Sequence, residues 1–210
     1  MNYTKSAIIV FLILLVDQVV KIWIKTHMYL GEEFSVLGDW FKIHFTENEG
    51  MAFGMTFGGS TGKLFLTIFR LIAVGFIAYY IHKLIKHKEH PGFIACFSLI
   101  LAGAIGNIID SVFYGVIFSD SNYQIAQLFP KEGGYEQLLF GRVVDMLYFP
   151  IYEGYLPSWI PLWGGDYFIF FRPVFNIADA SITTGVACII IFQKVFFKNP
   201  NQNKIQADGK

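Results

Sequence analysis

Four apolar runs constrain this chain more than any other feature: Ala7 to Ile24, Leu64 to Ile81, Gly92 to Phe113 and Val174 to Phe197. Each is close to the ~20 residues an α-helix needs to cross a hydrocarbon core. A helix satisfies its own backbone hydrogen bonds, which lipid cannot do, so the runs predict transmembrane helices. Composition agrees, with 54% hydrophobic and 15% charged residues in a chain of 210. The formal net charge is zero. No basic face is available, which argues against a nucleic-acid partner. Cys96 and Cys188 each sit inside an apolar run, so neither a disulfide framework nor a metal motif can be built from them.

Positive charge sets the expected orientation. Lys5 precedes the first run, "HKLIKHKEHPG" joins the second and third, and a polar, basic tail over 198–210 follows the fourth. The positive-inside rule places all three in the cytoplasm. Both termini are then inside, and the connections 25–63 and 114–173 lie outside. The N-terminal run lacks a small-x-small cleavage site and is interrupted by Asp17, so it is read as a retained anchor. One membrane domain over 1–210 is expected, with spans at 7–24, 64–81, 92–113 and 174–197.

The outer connections carry structure of their own. "WFKIHFT" alternates apolar and polar residues with the period of a half-buried strand. "FSDSNYQIAQLFPKEGGYEQLLFG" is a polar insertion with room for one short helix. "YEGYLPSWIPLWGGDYFIFFRP" is rich in aromatic residues and proline, which suits a segment at headgroup level.

Ionisable residues inside the spans are costly in lipid and point to function. Asp17 and Lys21 are four apart on one helix face and can pair. Arg70 either snorkels to the outer interface, the reading we adopt, or meets a carboxylate in the bundle. Ala102, Gly103, Ala104 and Gly106 allow close helix approach. Asn107 and Asp110, three apart, share a face. Asp145 stands among Val143, Val144, Met146 and Leu147; poor hydration should raise its pKa. Asp179 opens the fourth run, three residues after Asn176. Two neighbouring aspartates cannot both ionise easily, so one keeps a proton and the pair acts as acid and base. Such a pair can activate water against a peptide carbonyl without a metal or cofactor. His82, His87 and His90 flank the inner loop, on the wrong side for these aspartates. A carboxylate-dependent transporter is the alternative from chemistry alone, although four spans without inverted symmetry are few for transport.

Five stretches occur together in one order: "DQVVK" at 17–21, "TENEGMAFG" at 46–54, "GAIGNIIDS" at 103–111, "GRVVDM" at 141–146 and "FNIADASI" at 175–182. With them the chain resembles the lipoprotein signal peptidases (signal peptidase II), bacterial membrane aspartic proteases. The resemblance implies a mainly α, four-helix transmembrane bundle with a small outer β-cradle and an interfacial helix. It implies removal of the signal peptide from diacylglyceryl-modified prolipoproteins, before the lipidated cysteine, at the outer face of the bacterial inner membrane. The catalytic pair falls on Asp145 and Asp179. Asp17, Asn48, Gly50, Ala52, Phe53, Asn107, Asp110, Asn176 and Ala178 match the supporting motifs. The implied partners are the diacylated prolipoprotein, membrane lipids and globomycin-like inhibitors, with the protein a monomer. A non-catalytic binder of lipoprotein precursors is the other alternative. One departure stands out: Ser111 occupies a position where the family commonly has Arg, with Arg142 or Arg172 the candidates to replace it.

Overall fold

The structure, a computed structural model, describes residues 1–49, 59–170 and 172–197. Gly50, Ala52, Phe53 and the tail 198–210 lie outside the described residues. Helix α1 spans Tyr3–His27, α2 Gly59–Lys86 and α3 Pro91–Ile109. The α1 start is fixed by Asn2, whose side chain accepts the Lys5 N–H at 3.0 Å. Pro91 in the first turn and a cap by His90 begin α3. A single π-helical turn, Asp110–Tyr114, carries α3 into the three-residue α4, Gly115–Ile117. Three of these helical stretches are long and apolar enough to cross a membrane. Phe11, Phe65, Phe69 and Phe76 are exposed along them, as expected of lipid-facing side chains.

The fourth apolar run does not become one long helix. Val174 and Phe175 form strand β6 and pair with Tyr148 and Leu147. Helix α5 therefore starts only at Ile177 and ends at Ile191, and α6 follows over Gln193–Phe196. Asn176 causes this break: its backbone is extended and its side chain caps α5 by accepting the Asp179 N–H at 2.8 Å.

Strands β1 (Glu33–Leu37), β2 (Phe41–Asn48), β3 (Val143–Tyr148) and β6 form one antiparallel sheet in the order β1-β2-β3-β6. The alternation in "WFKIHFT" is β2. On β3, Val144 and Met146 point into a core with Ile24, Met28, Phe45, Tyr114 and Phe118. Asp145 is thereby turned to the opposite face. Strands β4 (Tyr152–Tyr155) and β5 (Tyr167–Phe170) make a separate hairpin. The helix expected within 118–141 is absent: the insertion runs as turns, with one bridge between Phe118 and Leu128. Its polar groups are spent instead on α1 and β2, described below. Among the described residues, neither outer connection holds a helix longer than α4.

Helices α3 and α5 approach closely because α3 presents glycine. A Cβ at Gly103 would lie 2.2 Å from the Ala178 carbonyl oxygen, and one at Gly106 would lie 2.8 Å from an Asp17 oxygen. The small-residue run is therefore a contact surface, and it brings the end of α3 against the start of α5.

Candidate active site

The C-terminal ends of α1 and α3, the start of α5 and one face of β2–β3 converge on a group of acids and amides. Asp145 is buried on β3. Its Oδ1 accepts from Asn176 Nδ2 at 2.7 Å, and its Oδ2 accepts from Asn48 Nδ2. Asp179, half-buried in the first turn of α5, accepts from Asn107 Nδ2 at 2.7 Å. The two amides join the two carboxylates, since Asn176 Nδ2 also reaches Asn107 Oδ1 at 3.0 Å.

The direction of each amide follows from its neighbours. Lys21 Nζ can only donate, and it lies 3.1 Å from Asn107 Oδ1. Asn107 must therefore turn its NH2 toward Asp179. Asn176 receives the Asp179 N–H on its oxygen, so its NH2 faces Asp145. One side chain thus caps α5 and serves the carboxylate on β3.

Asp17 and Asp110 have a different task. Lys21 lies between them, 3.0 Å from Asp17 and 2.8 Å from Asp110, with all three fully buried. Gln18 Nε2 reaches both carboxylates, at 3.1 Å and 3.0 Å. Their remaining lone pairs hold backbone. Asp17 Oδ1 accepts the Ala178 N–H at 2.9 Å, beside Asp179, and Asp110 Oδ2 accepts the Val144 N–H at 3.1 Å, beside Asp145. Each acid tethers the element that bears one of the two other carboxylates. Breaking such a buried, hydrogen-bonded group by removing one member costs about 3–5 kcal/mol, against roughly 0–1 for an exposed pair such as Lys42–Glu33.

Asp145 is held well above the ordinary carboxylate range, up to about 8. Burial is the main cause, the charge of Asp179 adds to it, and Lys21 and the two amides oppose it. A carboxyl that keeps a proton near neutrality, next to a second carboxylate, can share acid and base roles with it. Among the described residues, no group of three or more His, Cys, Asp or Glu is placed to hold a metal ion.

A family model described as signal peptidase II matches residues 9–196. The chain belongs to the signal peptidase II family. Among its relatives, the lipoprotein signal peptidase of Porphyromonas gingivalis is 56% identical over 88% of this chain and 80% of the relative. That of Amoebophilus asiaticus is 40% identical over 92% and 79%. A solved structure described as a bacterial membrane enzyme, by the in meso method at 1.9 Å resolution, is similar over 94% of this chain and 95% of that one. Its TM-score is 0.60, at 28% identity. The chain is thus a membrane protein with a mainly helical fold and a small sheet.

The structure brings together Asp17, Asn48, Asn107, Asp110, Asp145, Asn176, Ala178 and Asp179. It turns Arg142 elsewhere: its guanidinium lies on the reverse side of the β2–β3 ladder with Glu47. Arg172 is exposed and lines a cavity with Glu33 and His44, away from the aspartates. Neither stands where Ser111 does; the Ser111 hydroxyl donates back to the Asn107 carbonyl at 3.0 Å. Arg70, read above as snorkelling outward, is half-buried on α2 within electrostatic range of Asp179, Asp110 and Asp145. Sequence reasoning missed Gln18 and the Val144 N–H. Gln18 had a signal, one residue from Asp17 in a lipid-length run; a backbone donor leaves none.

Proposed function

We propose that this chain removes the signal peptide from diacylglyceryl-modified prolipoproteins, cleaving before the lipidated cysteine with Asp145 and Asp179 as the catalytic pair. The observation that carries this reading is the amide link between the two carboxylates through Asn176 and Asn107. At neutral pH the pair carries one proton, held on Asp145 by burial and by the charge of Asp179. Asp179 accepts a proton from water as the water oxygen attacks the scissile carbonyl. Asp145 gives its proton to the carbonyl oxygen. The tetrahedral intermediate then collapses, the C–N bond breaks and the departing amine takes the proton from Asp179. The products are a signal peptide carboxylate and a free α-amine on the lipidated cysteine; the carbonyl re-forms and returns its proton to Asp145.

The same reading makes α1, α2, α3 and α5 with α6 a four-helix bundle in the bacterial inner membrane. Both termini are cytoplasmic, and the four-stranded sheet is an outer cradle over the aspartates. Support comes from the basic inner loop and from the position of the pair at the helix ends nearest the sheet. A substrate anchored by its acyl chains presents its cleavage site at that depth. The aromatic hairpin β4–β5 then rests at headgroup level, and globomycin-like cyclic peptides would occupy the dyad.

The test is incubation of the purified full chain with a synthetic diacylated prolipoprotein and its unlipidated twin. Mass spectrometry should find a new N-terminus at the lipidated cysteine, from the diacylated substrate only, and globomycin should block it. Binding of the diacylated substrate without cleavage would contradict the proposal and favour a precursor binder.

A further inference from the structure

Asn48, which donates to Asp145, stands on β2 between two glutamates. Alternation along β2 places Glu47 on the face opposite Asn48, and Glu49, just past the strand end, shares Arg142 with it. That reverse face is charged, closed around Glu47 and open at Glu49. Glu47 is buried and pairs with the buried Lys25, whose Nζ also meets Ser121 Oγ at 3.0 Å. Lys25 lies over the rings of Phe118 and Tyr135, 5.2 Å and 5.0 Å from their centroids. Arg142, just before β3, reaches Glu47 at 3.3 Å and Glu49 at 3.8 Å. Lys63 of α2 holds the other oxygen of Glu49 at 2.9 Å. Tyr135 of the 118–141 insertion braces Arg142, accepting its backbone N–H at 2.7 Å under the guanidinium.

Both neighbours of Asn48 are therefore gripped from behind. We propose that Arg142 is a positioning residue: by holding Glu47 and Glu49 it fixes the backbone on either side of Asn48, and so the amide that Asp145 receives. The insertion is the scaffold of this clamp, supplying Ser121 and Tyr135. The proposal rests on the catalytic reading of Asp145. Arg142 touches no reacting atom; it acts through Asn48.

The test is steady-state cleavage of the diacylated prolipoprotein by the full chain in lipid nanodiscs, for wild type, Arg142→Ala, Glu49→Gln, Asn48→Ala and the double variant Arg142→Ala/Asn48→Ala. Loss of the hydrogen bond that orients the Asp145 carboxyl predicts a fall in kcat of about tenfold for Arg142→Ala, with KM within about twofold. The double variant should be no worse than Asn48→Ala, within about twofold, because both changes remove one interaction. The Asn48 amide favours the ionised form of Asp145, so Arg142→Ala and Asn48→Ala should both shift the alkaline limb of the pH–rate profile upward. Glu49→Gln, at a half-exposed site that leaves the fold intact, should shift it in the same direction. An unshifted pH profile in Arg142→Ala and Glu49→Gln would overturn the proposal, as would a double variant whose losses multiply. Full activity in Asp145→Asn, run in parallel, would instead overturn the catalytic reading on which it rests.

Discussion

At the scale of single residues, one buried carboxyl holds its proton into the neutral range. Asp145 sits up to about 8 because it is buried beside Asp179. The one-proton form of the pair is then lost as pH rises past that value, and kcat should fall about tenfold per pH unit on the alkaline side. Folding stability follows the same group. The folded state holds this proton more tightly than the unfolded chain, so stability is full at acid pH and declines between the ordinary carboxylate range and about 8. Asp145→Asn removes that decline. Its thermal midpoint should exceed that of wild type by several degrees at pH 8, with a smaller difference at pH 5. The apolar neighbours Val143, Val144, Met146 and Leu147 made this shift readable from sequence. The double use of Asn176 was not readable, because its second bond runs to a strand distant in the chain.

At the scale of elements, α3 against α5 decides whether Asn107 reaches Asp179. Gly103 meets the Ala178 carbonyl so closely that even a methyl group forces the helices apart. Gly103→Ala should cost about 1–3 kcal/mol by overpacking. It should also lower activity more than an equally destabilising change on the lipid-facing side of α2, since it widens the Asn107–Asp179 gap. Cleavage assays on variants matched for thermal midpoint check this. The apolar runs gave α1, α2 and α3 directly, and strand alternation gave β2. The start of α5 was obscured because Val174 and Phe175 are as apolar as the helix they precede. Only pairing with Leu147 and Tyr148 makes them strand. The insertion has room for one short helix but runs as turns, held by contacts to Lys25 and β2 that no local pattern reports.

At the scale of the whole molecule, the proposed orientation rests on the distribution of positive charge. A single cysteine at Tyr123, fully exposed on the insertion, should react with a membrane-impermeant maleimide in intact cells, and one at Lys88 in the basic loop should not. Cys96 and Cys188 are replaced by alanine in both. The reverse pattern would invert the topology. The motif order and the four apolar runs carried the family and the site in outline; the buried Asp17–Lys21–Asp110 group emerged only from the fold, because Asp110 lies on another helix. Each of its acids secures the backbone beside Asp145 or Asp179, which on the proposed reading holds the two carboxylates in register. The most direct measurement is therefore single-turnover cleavage of a diacylated prolipoprotein by Asp145→Asn and Asp179→Asn, both purified as folded membrane proteins. Loss of at least about a thousandfold in rate for each is predicted, with substrate still bound. Turnover near the wild-type rate in either variant would contradict the account.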